Sequence, residues 1–185
     1  KVEKKKEKKN PPLLFNLAEL QNECSKRFKI SPDETLKHTQ SLYEKKLVTY
    51  PRTDARVLST AVAKEISKNL SGLSKYEPLR EHLQEISANQ SHKTIAKSRY
   101  VDDKQITDHY AIIPTGANME EAEKLKGIEK DLYELIARRF LSIFFPPAVY
   151  HKLSVTVDTK GEKFFANFKV LAEEGYLKVA GTTEK

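Results

Sequence analysis

Apolar residues recur with a helical period through most of the chain and switch to alternation near its end. Leu17, Leu20, Cys24 and Phe28 fall on one helical face, which predicts a helix over 17–28. Asn16 precedes it and Glu19 follows at the spacing of a capping box. Ser31-Pro32-Asp33-Glu34 is a second start signal, with a capping serine, proline at the first helical position and acids in the first turn. Leu36, Thr39, Leu42 and Tyr43 give that helix an inward face to about Lys45. The short link between the two allows a helix-turn-helix arrangement, although a plain helical pair has the same pattern. "LVTY" (47–50) is β-branched and short, hence a strand or extended stretch, and Pro51 keeps Tyr50 out of the α region. Ser59 caps a helix over 60–70 with Val62, Ile66 and Leu70 inward, and 76–86 forms another. Residues 87–108 are polar and show no period. Asn118 and Glu121 open a short helix. Ile128, Leu132, Leu135, Ile136 and Phe140 mark the strongest one, 128–144, which Pro146-Pro147 ends. Beyond it "YHKLSVTVDT" and "FFANFKVLAEE" alternate on either side of "KGEK", which predicts a β-hairpin.

The fold class is α+β, with a mainly helical block over 13–144 between the strand-forming segments 1–12 and 145–185. Residues 1–9 are ambiguous. They hold six lysines and two glutamates, a local charge of +4 out of the formal +7. Composition alone makes them a solvated basic tail; the alternative is a strand of the same β unit as the hairpin. The tail's charge would attract a polyanion, but the body is nearly balanced, so net charge favours nucleic acid only modestly.

With 38% hydrophobic and 32% charged residues, the 185-residue chain has the composition of a globular protein with a core. No apolar run approaches the ~18 residues of a membrane helix, and no signal peptide is visible. The absence of an initiator methionine suggests a piece of something longer. The single cysteine, Cys24, excludes an internal disulfide and a zinc ribbon, and fits a reducing compartment.

There is no P-loop for ATP, no D-x-D-x-E or H-E-x-x-H metal motif, and no nucleophile elbow. What remains is "TYPRTD" (49–54). A phenol is a weak nucleophile until a cation or base activates it. Arg52, close to Tyr50 along an extended chain, has a planar donor fork suited to two phosphate oxygens. Thr53 and Asp54 have the chemistry to hydrogen-bond the turn and hold Arg52. The plainer alternative makes Tyr50 a half-buried anchor, with Arg52 and Asp54 a surface ion pair. A second stretch, "DHYAIIPTG" (108–116), sets His109 at the start of a short apolar strand that Pro114 ends. As imidazolium, His109 is a second positive donor for a phosphate.

These stretches resemble the type IA DNA topoisomerases, most closely the topoisomerase III branch. The matching residues are "PLLFNLAELQ" (12–21), "TLKHTQSLYEKKLVTYPRTD" (35–54) and "DHYAIIPT" (108–115). The resemblance implies that Tyr50 attacks a phosphodiester in single-stranded DNA and forms a 5′-phosphotyrosine link. Another strand passes through the gap and the reaction reverses, giving relaxation or decatenation without ATP. It implies catalytic roles for Tyr50, Arg52 and His109, with Arg52, Thr53 and His109 contacting DNA. It also implies a helical domain folded like the DNA-binding domain of catabolite activator protein, inserted into an antiparallel β hinge, which favours the strand reading of 1–9. Mg²⁺ and the acid–base residues belong to a Toprim domain of the same polypeptide, absent from this sequence, and a fragment without it is expected to be inactive. A bacterial, nucleoid-associated cytoplasmic protein follows from the same resemblance, with no membrane partner.

Two other classes stay open. A tyrosine recombinase also uses Tyr, Arg and His, but there the tyrosine follows them, whereas Tyr50 precedes His109. A non-enzymatic helix-turn-helix DNA-binding module accounts for the first helices and the charge, and leaves Tyr50 and Arg52 without a role.

Overall fold

The computed structural model describes residues 2–180. Lys1 and 181–185, which the sequence reading places in the two terminal β segments, lie outside the described residues. Two helices open the helical part: α1 (Leu17–Phe28) and α2 (Pro32–Glu44). Their starts follow the local signals. Asn16 Oδ1 accepts the Glu19 N–H at 2.8 Å and Ser31 Oγ accepts the Glu34 N–H at 3.2 Å, each satisfying an orphan donor of the first turn. Lys29 ends α1 in the left-handed region.

The predicted helix over 60–70 is two helices, α3 (Thr60–Lys64) and α4 (Ile66–Leu73), broken at Glu65. The single apolar period hides the break because Val62, Ile66 and Leu70 still turn toward one core. After a 3₁₀ turn at Glu77–Leu79 comes α5 (Arg80–Asn89). The polar stretch without a period holds 3₁₀ turns at Ser91–Lys97 and Asp103–Gln105, anchored by buried Ile95 and Tyr100. Next come α6 (Met119–Glu123) and α7 (Ile128–Ser142). Asn118 does not cap α6 with its side chain. It takes the left-handed region and donates from Nδ2 to Lys45 O at 2.9 Å, tying α6 to the end of α2.

The core lies around α7, where Leu132, Tyr133, Ile136, Phe140 and Leu141 are fully buried. Each such side chain contributes roughly 1.5–3 kcal/mol of transfer free energy. Tyr133 meets the Tyr76 ring edge to face, centroids 5.5 Å apart.

After Pro146-Pro147 the chain forms the hairpin β2 (Ala148–Thr159) and β3 (Glu162–Glu173), followed by the short α8 (Leu177–Ala180). Lys160 and Gly161 both have positive φ, the requirement of a tight two-residue hairpin turn, so Glu162 and Lys163 already belong to the strand. β1 (Val2–Lys9) pairs antiparallel with β2, from Val2 opposite Val155 to Lys9 opposite Ala148, giving the order β1-β2-β3. The lysine-rich start is therefore a strand and not a free tail. Its backbone groups are bonded to β2, and Glu7 meets Lys152 at 3.2 Å and Lys169 at 3.8 Å. The sheet is buried only where it joins the helices, at Ala148, Val149 and Tyr150; β3 is exposed along its length.

Candidate active site around Tyr50

Three extended pieces of chain meet beside α2, at 14–17, 47–57 and 110–115. Isolated bridges join Phe15 to Ile112 and Val48 to Pro114. Thr49 N donates to Ile113 O at 2.9 Å, and Thr115 N to Leu47 O at 2.9 Å. The Thr49 hydroxyl adds two more bonds, donating to Ala111 O (3.1 Å) and accepting from Ile113 N (2.9 Å). The residue before Tyr50 is thus clamped to the strand that leaves His109.

That clamp brings the two predicted residues together. The Tyr50 ring lies over His109 with centroids 4.5 Å apart and planes tilted by 39°. Tyr43, from the last turn of α2, meets Tyr50 edge-on at 5.3 Å. All three line an open groove of about 860 Å³, together with Lys46, Thr49 and Tyr110. Tyr50 is half-buried and His109 exposed. Burial pushes the Tyr110 phenol above its ordinary value, which keeps it neutral.

Arg52 is exposed, at the centre of a tight turn in which Thr53 N donates to Pro51 O at 3.0 Å. Pro51 is buried beneath that turn. The surface pair with Asp54 is not formed: the ion pairs among the described residues include neither residue. Thr53, expected to contact DNA, lies beneath the exposed Arg52 in the same turn. It is 7% exposed, donates from Oγ1 to His109 O at 3.4 Å, and accepts the Ala55 N–H at 3.1 Å. Its geometry is that of a brace between the Arg52 turn and the His109 segment. Asp54 contributes through its backbone, accepting from Asn16 Nδ2 at 3.2 Å.

Two members of the site were not identified by sequence reasoning. Tyr43 counted as part of the inward face of α2, but it is 39% exposed and faces Tyr50. Its helical phase places it at the margin of that face, which periodicity cannot resolve. Thr49 looked like any β-branched strand residue; its paired hydroxyl becomes visible only once 110–115 is set beside it. The second support of the site is a close approach. Gly72 of α4 touches Gly116, where a Cβ on Gly72 would lie 2.0 Å from Gly116 O, and Asn69 Nδ2 donates to Pro114 O at 3.0 Å.

Among the described residues no group of three or more His, Cys, Asp or Glu is placed to hold a metal ion. No helix among them is long and apolar enough to cross a membrane.

Comparisons with known proteins place the chain in a family. A family model described as DNA topoisomerase matches residues 1–185. DNA topoisomerase 3 of Bacillus subtilis (strain 168) is 38% identical over 177 residues, covering 94% of this chain and 23% of that relative. The protein of the same name from Bacillus licheniformis is 39% identical over 172 residues, covering 91% and 23%. The solved structure of full-length topoisomerase I from Thermotoga maritima is similar over 100% of this chain and 29% of its own, with a TM-score of 0.69 and 27% identity. The chain spans about a quarter of the length of the curated relatives it matches. It belongs to the type IA DNA topoisomerase family.

Proposed function

We propose that Tyr50 is the nucleophile of a reaction that cuts and rejoins one DNA strand. The phenol oxygen attacks the phosphorus of a phosphodiester in single-stranded DNA and releases its proton. The bond from phosphorus to the 3′-oxygen breaks, that oxygen takes a proton and leaves as a hydroxyl, and the downstream strand stays on Tyr50 through its 5′-phosphate. Attack by the 3′-hydroxyl restores the strand after another has passed. One phosphoester is exchanged for another, so the step consumes no ATP.

Phosphoryl transfer depends mostly on positioning and charge stabilisation. Arg52, exposed on a fixed turn, offers its donor fork to the phosphate oxygens, and His109 in its charged form adds a second donor. The observation that carries this reading is the 4.5 Å contact between Tyr50 and His109 on an open groove. A lone tyrosine anchor would not need a histidine from a segment so distant in sequence beside it.

Magnesium is proposed to be held elsewhere in a longer polypeptide, with the acid–base residues. The described residues do not fit it, and no step above is routed through it. The 185-residue chain by itself is proposed not to relax supercoiled DNA; the complete polypeptide relaxes or decatenates it. In the domain reading, 1–12 and 145–185 form a β hinge around the helical domain 13–144. The capped pair α1 and α2, linked by three residues, is proposed to be the helix-turn-helix of a fold like the DNA-binding domain of catabolite activator protein. A cytoplasmic, nucleoid-associated setting goes with this function.

The test is a short single-stranded oligonucleotide incubated with the complete polypeptide and Mg²⁺, then quenched with denaturant. A covalent adduct is expected, absent in Tyr50→Phe, with single-strand binding retained. Undiminished adduct in Tyr50→Phe would exclude Tyr50 as the nucleophile.

A further inference from the structure

A second pocket, of about 250 Å³, lies where the sheet joins the helices. Its polar lining includes Lys9 at the end of β1, Asn10 after it, Glu23 and Arg27 on α1, and Arg138 and Arg139 on α7. Four cations therefore face one carboxylate, and Glu23 is already committed to Arg27, with Oε1 2.8 Å from Nε. Among the described residues Arg138 and Arg139 form no ion pair. Each spends one donor on a backbone carbonyl: Arg138 Nη1 on Val179 O at 2.9 Å and Arg139 Nη1 on Leu13 O at 3.0 Å. A guanidinium carries five N–H donors, so most of both forks is left for a ligand or water.

The pocket is built rather than incidental. The Arg139 guanidinium lies 4.1 Å from the centroid of the Phe15 ring, which fixes its plane. Burial, with Arg56 and Arg27 nearby, pushes its pKa down to about 10, so it remains cationic at neutral pH in a place where like charges repel. Two arginines of one helix that line the same pocket, each held by a backbone carbonyl, match the bidentate recognition of a tetrahedral oxyanion. The volume corresponds to about eight waters at ~30 Å³ each, enough for a partly hydrated phosphate.

We propose that this junction pocket binds a phosphate group through Arg138 and Arg139, with Arg27 at its rim, as a site separate from the Tyr50 groove. The bound anion neutralises the cluster. It also ties α1 and α7 to the strand end and to α8, coupling the sheet to the helices. The phosphate belongs either to a DNA backbone or to a small free phosphate compound.

The experiment follows inorganic phosphate by phosphorus NMR line broadening in the complete polypeptide. A dissociation constant of about 1 mM is expected. Arg138→Gln should weaken it roughly tenfold, the effect of losing one charge-assisted contact. Arg27→Gln, which leaves α7 untouched, should weaken it less, and Tyr50→Phe should leave it unchanged. The last variant separates this site from the proposed nucleophile. Displacement of the phosphate by a single-stranded oligonucleotide identifies the ligand as a strand backbone; persistence of the phosphate signal identifies a small phosphate. No broadening in the wild type, or equal broadening in Arg138→Gln with its circular dichroism unchanged, would overturn the proposal.

Discussion

Thr49 and Ile113 are joined in both directions. The Thr49 N–H donates to Ile113 O at 2.9 Å, and the Ile113 N–H donates to Thr49 Oγ1 at 2.9 Å. This clamp holds the turn carrying Tyr50 and Arg52 against the strand that follows His109. Thr49→Val keeps the shape and removes the hydroxyl, leaving Ile113 N–H and Ala111 O without that partner. A destabilisation of about 1–3 kcal/mol is expected in denaturant unfolding, with Thr49→Ser recovering most of it. Adduct formation should fall in Thr49→Val more than single-strand binding does, because positioning is lost before charge.

Gly72 and Gly116 form the second support. A side chain on Gly72 would meet Gly116 backbone, and Gly116 itself has a φ of +77°. Neither atom set is the flexible end of a side chain, so α4 or the 114–116 segment must move. Gly72→Ala is expected to cost more than the ~1 kcal/mol of a typical point substitution and to raise amide exchange across Ile112–Gly116. Unaltered exchange there would separate α4 from the site.

The Asp103 carboxylate accepts from Thr60 N at 2.9 Å and from Thr60 Oγ1 at 2.6 Å, which satisfies the first amide of α3. Those bonds hold its pKa below the ordinary carboxylate value. A carboxyl depressed in the folded state stabilises the fold above its unfolded pKa of about 4 and loses that contribution as pH falls through the depressed value. Asp103→Asn should therefore lower stability near neutrality, change little at low pH where the carboxyl is already protonated, and flatten the acid limb between the two. An acid limb of unchanged slope would contradict it.

Cys24 is fully buried and burial pushes its thiol up to about 11. Little thiolate is present and no reagent reaches it. Alkylation should be slow in the folded chain and should accelerate with denaturant in step with global unfolding. Rapid labelling under native conditions would mean that α1 opens from the core on its own.

Local signals carried much of the architecture. Asn16, Ser31 and Ser59 each cap the helix they announce, because capping is decided within four residues. The hairpin was legible for the same reason, through alternation and Lys160-Gly161. Non-local structure was not. The Glu65 break sits inside an unbroken apolar period. Asn118 turns from a cap into a tie to Lys45, and Asp103 caps a helix far from it in sequence. Lysine-rich Val2–Lys9 becomes a strand through its pairing with β2, a partner composition cannot reveal. Within the site, Tyr50, Arg52 and His109 were recognisable as residue types in motifs. That Thr53 braces, and that Tyr43 faces Tyr50, depended on contacts between segments.

Among the described residues Arg52 has no ion-pair partner, as a phosphate contact requires. For single strands the log–log dependence of affinity on salt has a slope of about −0.7 per phosphate contact. Arg52→Ala should make it shallower by about that amount, uniformly across sequences. An unchanged slope would remove Arg52 from the DNA interface.

The most direct measurement of the central claim is the polarity of the covalent link. Two oligonucleotides of one sequence, labelled at the 5′ or the 3′ end, are cleaved by the complete polypeptide and quenched with denaturant. Attack by Tyr50 as described leaves the 3′ label on the protein, in a peptide containing Tyr50, and releases the 5′ label on a fragment with a free 3′-hydroxyl. Retention of the 5′ label, or linkage through any residue other than Tyr50, would contradict it.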